Sequence, residues 1–238
     1  MAASLRDAIV FSNRLVMVVG MDELQFFDPK QEFTIVSKSL PHWAQAGTVA
    51  FITWRTADSL PATIQDTITA ERMQLLLQFG LDPQTDWKTQ LSKLPAADRC
   101  RVQSSLFSLW DERLDGGLGA CVLKRPEISR IVEESLLHFD GDRYVLTDAV
   151  VMPNHVHLLA AFRNDATLLS QCTSWKRFTG RRINELLGQR GEFWQVEQFD
   201  HLVRSEEQFD HFRRYIAENP RKARLQAGSF RCYSKPLK

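Results

Sequence analysis

The stretch Tyr144–Phe162, YVLTDAVVMPNHVHLLAAF, decides the fold. Two strand-like runs, Tyr144–Val151 and His155–Phe162, flank Met152-Pro153-Asn154. Their β-branched and aromatic residues suit a pleated, half-buried surface, and Pro-Asn is turn chemistry. So short a gap joins two strands as an antiparallel hairpin. Within the second run, His155 and His157 stand two apart. Strand side chains alternate between faces, so the two imidazoles share one face while Val156 points into the core. Two imidazoles side by side can hold one metal ion, but an H-x-H on a strand is by itself more often incidental, and both readings stay open on spacing alone.

Upstream of the hairpin, Thr48–Asp58 (TVAFITWRTAD) has strand composition and ends at Ser59-Leu60-Pro61. Apolar residues at steps of three and four predict helices over Ala62–Phe79, Ala96–Leu114 and Pro126–His138, with breaks at Asp82-Pro83 and Asp115-Gly116-Gly117. Pro126 suits a first helical position. Residues 1–45 show no sustained period, are interrupted by Pro29 and Pro41, and are expected to form an extension or arm.

Downstream, Asp165 is expected to cap a long helix reaching Leu187, with Leu168, Cys172, Trp175, Thr179, Ile183 and Leu186 on one face. A connector follows, FWQVEQFDHLVR, and a further strand is expected within Phe193–Val203. Ser205-Glu206-Glu207-Gln208 matches a capping box and opens a last helix, Glu206–Glu218, limited by Pro220. The basic tail Arg221–Lys238, of which residues 226–238 lie beyond the domain, is expected to be loosely ordered. One antiparallel sheet with helices is an α+β sandwich.

Apolar residues make up 44% and charged residues 25% of the 238, an ordinary balance for a globular chain that excludes disorder throughout. The four cysteines, Cys100, Cys121, Cys172 and Cys232, form no C-x-x-C pair, so neither a structural zinc site nor a disulfide framework is indicated. A reducing, cytoplasmic setting is the expectation. Leu15–Met21 is too short to span a bilayer and lacks signal-peptide flanks. The net charge of +1 hides an asymmetry: 15 Lys/Arg against 9 Asp/Glu from Arg163 onward, leaving 15 against 20 before it. A basic C-terminal part could meet a phosphate backbone, though a solvated surface explains the charge equally well.

In the last predicted helix, Tyr215 and Asn219 are four apart and so share a face, with Cβ atoms about 6 Å apart. Phe209, Phe212 and Ile216 make the buried stripe and Tyr215 lies at its margin, able to reach a neighbouring sheet. A core-edge tyrosine and a helix-end asparagine would look the same from spacing alone.

Taken together, these segments resemble a known family. VVMPNHVHLL resembles the HUH signature of single-tyrosine transposases, in the branch of REP-associated tyrosine transposases. YIAENPRKARL, Tyr215–Leu225, resembles that branch's Tyr-Ile-x-x-Asn-Pro-x-Lys-Ala motif. FWQ (Phe193–Gln195), DHLVRSEEQF (Asp200–Phe209) and TADSLPA near the first strand are also similar to the family. The resemblance spans Thr48–Leu225, with its two motifs in the right order and about 60 residues apart.

The resemblance implies a ferredoxin-like sandwich, the HUH endonuclease palm, over residues 46–225, interrupted by a helical insertion at about 62–125. It implies His155, His157 and Asn219 as ligands of Mg²⁺ or Mn²⁺ and Tyr215 as nucleophile, with His201 a possible support. The activity it implies is nicking and joining of single-stranded or hairpin DNA (REP-like palindromes) through a 5′-phosphotyrosine, by a monomer or a homodimer.

Lys176, Arg177, Arg181, Arg182, Arg204, Arg213, Arg214, Arg221, Lys222 and Arg224 are candidate phosphate contacts. Trp194 and Phe199 could stack on bases, although core packing is the commoner use of such rings. The alternatives are a hairpin-binding module of the same ancestry that no longer cuts, a replication or relaxation nuclease of like chemistry, and an unrelated small-molecule metallohydrolase using the two histidines.

Overall fold

The structure, a computed structural model, describes residues 24–37, 41–196 and 198–237. In chain order its elements are β1 (Thr34–Ser37), β2 (Pro41–Ala44), β3 (Val49–Arg55), α1 (Ala62–Gln78), α2 (Trp87–Lys93), α3 (Ala96–Asp115), α4 (Pro126–Leu137), β4 (Tyr144–Val151), β5 (His155–Phe162), α5 (Asp165–Leu187), β6 (Phe199–Leu202), α6 (Glu206–Lys222) and β7 (Arg231–Ser234). β1 and β2 pair as a separate two-stranded ribbon. The other strands form one sheet in the order β6-β3-β5-β4-β7, antiparallel at every pairing.

Counting β3, β4, β5 and β6 as first to fourth, the sheet order is fourth-first-third-second. α4 lies in the crossover from first to second, and α5 in that from third to fourth. This is the β-α-β-β-α-β ferredoxin-like arrangement, an α+β fold as expected. Its two faces are dressed differently. Ala50, Ile52 and Trp54 of β3 and Val156, Leu158, Ala160 and Phe162 of β5 pack under α4 (Ile128, Val132, Leu136) and α5 (Leu168, Cys172, Trp175, Ile183). On the opposite face Val49, Phe51, Val150 and Leu159 meet Phe209 and Ile216 of α6. The period-two alternation that buries Val156 under α5 therefore turns His155 and His157 toward α6.

The insertion carries its own small core, Leu76, Leu81, Trp87, Leu91, Val102 and Leu106. It rejoins the palm at Asp58, whose Oδ2 accepts from Ala120 N at 2.7 Å. Gly119 beside it has φ +84°, and a Cβ there would sit 2.6 Å from the Asp58 carbonyl oxygen, so a glycine is required.

Several expectations need correction. The cap of α5 is Asn164, one residue before Asp165: its side chain accepts from Thr167 N. A short helix, α2, follows the Asp82-Pro83 break. α6 does not stop before Pro220 but runs through it to Lys222. Asn219 and Pro220 are both buried, and packing holds Asn219 helical against the local preference of a pre-proline residue. The tail is not loose. Arg231–Ser234 adds β7 to the free edge of β4, and Lys235 N donates to Thr147 O at 2.7 Å. Thr147 lies where the β4–β5 register slips, so a bulge presents that carbonyl.

Charge explains why the tail docks. Arg231 meets Glu133 at 3.0 Å, Lys235 meets Asp140 at 2.8 Å, and Arg213 meets Asp148 at 2.9 Å. Each pair joins a cation of the basic part to an acid of the acidic part, so some of the C-terminal charge is spent inside the fold.

The first part of the expected arm, residues 1–23, lies outside the described residues, while Leu24–Phe27 pack on the palm and β1 and β2 form their own ribbon. Leu24 is buried with Val49 and Phe51, Phe27 N donates to Val203 O at 2.7 Å, and Val49 N donates to Gln25 O at 3.0 Å. Among the described residues no helix is long and apolar enough to cross a membrane.

Candidate metal and nucleophile site

β5 is the middle strand of the sheet, paired on both sides, which fixes the direction of its side chains. His157 lies opposite Thr53 and His155 opposite Arg55. The Thr53 hydroxyl is 2.7 Å from His157 Nδ1. Asn154, in the hairpin turn, donates its amide N–H to Leu118 O at 3.0 Å, which aims Asn154 Oδ1 at His155 Nδ1, 2.7 Å away. That oxygen can only accept, so His155 carries its proton on Nδ1 and presents a bare lone pair at Nε2. The second atom is fully buried and has no hydrogen-bond partner.

Both histidines are wholly buried, and their rings lie 4.6 Å apart between centroids at 73°. Burial lowers His155 to about 3. Burial, and then the neighbouring His155, holds His157 well below the ordinary imidazole range. A neutral imidazole is the metal-binding form.

α6 brings the phenol to this pair. Tyr215 Oη is 3.4 Å from His157 Nε2, and the two rings meet edge to face at 5.2 Å. Phe51 sets the approach. It stacks on Phe212 of α6 at 4.2 Å, lies parallel to His157 at 5.6 Å, and receives the Tyr215 ring edge-on at 5.8 Å. Lys222 Nζ lies 5.2 Å from the centre of the Tyr215 ring.

One turn on, Asn219 is fully buried, and neither its amide oxygen nor its amide nitrogen has a partner. A buried amide left unpaired costs about 1–3 kcal/mol. Such atoms are rare enough to need a cause, and here they lie on two packed elements, α6 and β5. Among the described residues no group of three His, Cys, Asp or Glu gathers. Two imidazoles together with an amide oxygen would suit a divalent cation of borderline or hard character.

Two further contacts hold α6 in place. Ser205 Oγ accepts from Gln208 N at 3.3 Å, while Gln208 Oε1 accepts from Arg204 N at 2.8 Å. The Gln208 amide nitrogen lies 3.1 Å from His201 Nε2. His201 thus fastens β6 to the start of α6, and it sits across β3 from β5. On the other flank Asp148, buried at the β4 bulge, accepts from Arg213 Nε at 2.9 Å and from Ser234 Oγ at 2.7 Å. Thr53, Asn154 and Asp148 were not among the sequence candidates. Asp148, a lone acid in an apolar strand, was the visible signal of the three.

The candidate phosphate contacts scatter. Lys176, Arg177, Arg181 and Arg182 ride on α5, in the layer across the sheet from the histidine pair. Lys176 is bonded to Val196 O at 2.6 Å and Gln198 Oε1 at 2.9 Å, so it holds the connector. Arg181 and Arg182 share Glu185. Arg213 is committed to Asp148, whereas Arg214, Arg221, Lys222 and Arg224 are exposed around the tyrosine helix. Trp194 is buried, with its indole N–H on Thr179 Oγ1 at 2.8 Å, so core packing rather than base stacking is its use. Phe199 is half-buried against the same cluster as Tyr215.

No protein-family model and no curated protein matches the chain. Among solved structures it is similar to one described as "Structure of the REP associates tyrosine transposase bound to a REP hairpin". The identity is 16%, the match covers 79% of this chain and 74% of that chain, and the TM-score is 0.40.

Proposed function

We propose that the chain is a metal-dependent single-stranded DNA endonuclease and strand transferase of the single-tyrosine HUH type, acting on hairpin-forming DNA. The observation that carries this reading is the approach of Tyr215 Oη to His157 Nε2, 3.4 Å, while His155 Nε2 on the same strand as His157 and the Asn219 amide one turn beyond Tyr215 on α6 are buried without partners. The two sequence motifs supply these same four residues.

A phosphodiester resists attack because its negative charge repels nucleophiles. A divalent cation held by His155, His157 and Asn219, with Mg²⁺ or Mn²⁺ the expected ions, would withdraw that charge and orient the phosphate. Asn154, which can only accept from Nδ1, holds His155 in the tautomer that binding needs, and Thr53, bonded to Nδ1 of His157, orients the second ring. With its Nε2 lone pair given to a cation, His157 would no longer accept from the Tyr215 hydroxyl, which would leave that hydroxyl free for attack. Lys222 places a positive charge beside the ring on which negative charge develops.

Tyr215 Oη forms a bond to phosphorus and the bond to the 3′ oxygen breaks. The phenol proton leaves through water, and the departing oxygen gains one to become a 3′-hydroxyl. The 5′-phosphotyrosine keeps the ester energy, so another 3′-hydroxyl can displace Tyr215 and join strands without a nucleotide cofactor.

The test is incubation of 5′- and 3′-labelled hairpin DNA carrying single-stranded flanks with Mn²⁺, followed by denaturing gel analysis. A protein–DNA adduct that needs the ion, and is lost in Tyr215→Phe with the melting temperature unchanged, is the expected result. No adduct, together with metal-dependent hydrolysis of small esters indifferent to Tyr215, would replace this reading with the metallohydrolase one.

A further inference from the structure

We infer that Arg99 of the helical insertion and Arg204 at the foot of α6 form a second anion site, which takes a backbone phosphate of DNA away from the tyrosine. The choice of DNA rests on the function proposed above; the anion site rests on its own geometry.

Arg204 immediately precedes Ser205, the cap of α6. Its guanidinium is half-buried, with Nη2 3.5 Å from Gln103 Oε1 on α3 and Cζ 6.0 Å from the centre of the Phe27 ring. The other terminal nitrogen, Nη1, is buried and makes no hydrogen bond. Arg99 stands four residues before Gln103 on α3, so both lie on the helix face that meets Arg204. The positive charge of Arg99, second to burial, lowers the Arg204 pKa. Arg99 Nη1 donates to Ser92 O at 3.1 Å, and its Nε is buried without an acceptor.

Three other half-buried arginines have carboxylate partners. Arg113 has Glu71 at 2.6 Å, Arg213 has Asp148 at 2.9 Å, and Arg231 has Glu133 at 3.0 Å. Arg204 has no carboxylate among the described residues. A buried N–H without an acceptor, next to a like charge, is unfavourable until an anion with several acceptor oxygens arrives. A phosphate meets that need, because the planar guanidinium fork matches its oxygens. Arg204 and Tyr215 are eleven residues apart along α6, about 16 Å at the helical rise. A nucleic acid a few nucleotides long spans that distance. The site would give the insertion a task, since α3 supplies half of it.

The experiment uses full-length protein carrying Tyr215→Phe, which binds without cutting, and a fluorescein-labelled DNA hairpin with a single-stranded flank. Fluorescence anisotropy is recorded over a range of NaCl concentrations for this parent, for added Arg99→Gln, for added Arg204→Gln, and for both. Loss of the site should weaken binding about tenfold at low salt. It should also flatten the slope of log affinity against log salt by about 0.7–0.9, the value of one phosphate. Because a like-charge contact is relieved, Arg204→Gln should melt at or above the parent's temperature, whereas Arg99→Gln also loses the bond from Arg99 Nη1 to Ser92 O, 3.1 Å. Unchanged affinity and slope in the double variant overturn the inference, as does a parent that binds no DNA. If Arg204→Gln lowers the melting temperature, Arg99→Gln alone decides: parental binding overturns the site, weakened binding supports it. Arginine-dependent binding by a protein that forms no adduct through Tyr215 would support this site while removing the nuclease reading.

Discussion

Replacing Asn219 with leucine should make the protein more stable when divalent cations are removed and indifferent to them when they are supplied. Asn219 is wholly buried, and both polar atoms of its amide lack a partner. An unpaired buried amide costs about 1–3 kcal/mol. Leucine has the same branching and heavy-atom count, needs no hydrogen bonds, and is a better helix former by a few tenths of a kcal/mol. The expected gain in EDTA is therefore about 1–3 kcal/mol, or a melting temperature about 3–10 °C higher at this chain length. The wild-type chain should recover the difference when an ion binds, since about 2.7 kcal/mol follows from a free ion concentration 100-fold above its Kd. The assay is thermal melting of both proteins in EDTA and across a Mn²⁺ titration. A leucine variant less stable than wild type in EDTA by more than about 1 kcal/mol would refute the premise that the amide is unpaired. Equal Mn²⁺ responses would refute its part in ion binding.

Other perturbations probe the scaffold. Burial lifts the Tyr144 phenol to about 12, and its hydroxyl donates to Leu136 O at 2.6 Å. The folded pKa is above the unfolded value near 10, so the stabilisation is complete below pH 10 and is lost as pH rises toward 12. Tyr144→Phe should reduce that alkaline loss by up to about 2–3 kcal/mol, read from urea midpoints at pH 9 and pH 11.5; an identical pH dependence in both proteins would refute it. Asp148→Ala should cost about 2–4 kcal/mol by stranding Arg213 and freeing Ser234. A double-mutant cycle with Arg213→Met should return a coupling of at least about 1 kcal/mol, and additive losses would count against the pair.

The palm was legible because its elements announce themselves. The alternation in Tyr144–Phe162, the stripe of α5 and the Ser205–Gln208 cap are local signals that tertiary structure then obeyed. What escaped depended on partners distant in sequence. RCYS carries no strand pattern of its own; it becomes β7 because the β4 edge is open and Glu133, Asp140 and Asp148 await its cations and hydroxyl. Asn219 stays helical before a proline because both residues are buried, a fact no local propensity contains. In the site, the motif supplied the two histidines, the tyrosine and the asparagine. Thr53 became visible only with the β3–β5 register, and Asn154 only once Leu118 fixed its amide.

The division of the candidate site between a strand and a helix has a thermodynamic corollary. His155 and His157 are anchored in the innermost strand, while Tyr215 and Asn219 travel together on α6. An ion gripped by both would act as a rivet between the two layers, and reciprocity then applies: any contact that displaces α6 weakens the grip by the same factor by which the grip resists displacement. Arg213–Asp148 and Gln208–His201 are thus two hinges on one door, and each would tune ion affinity from a distance without touching the ion.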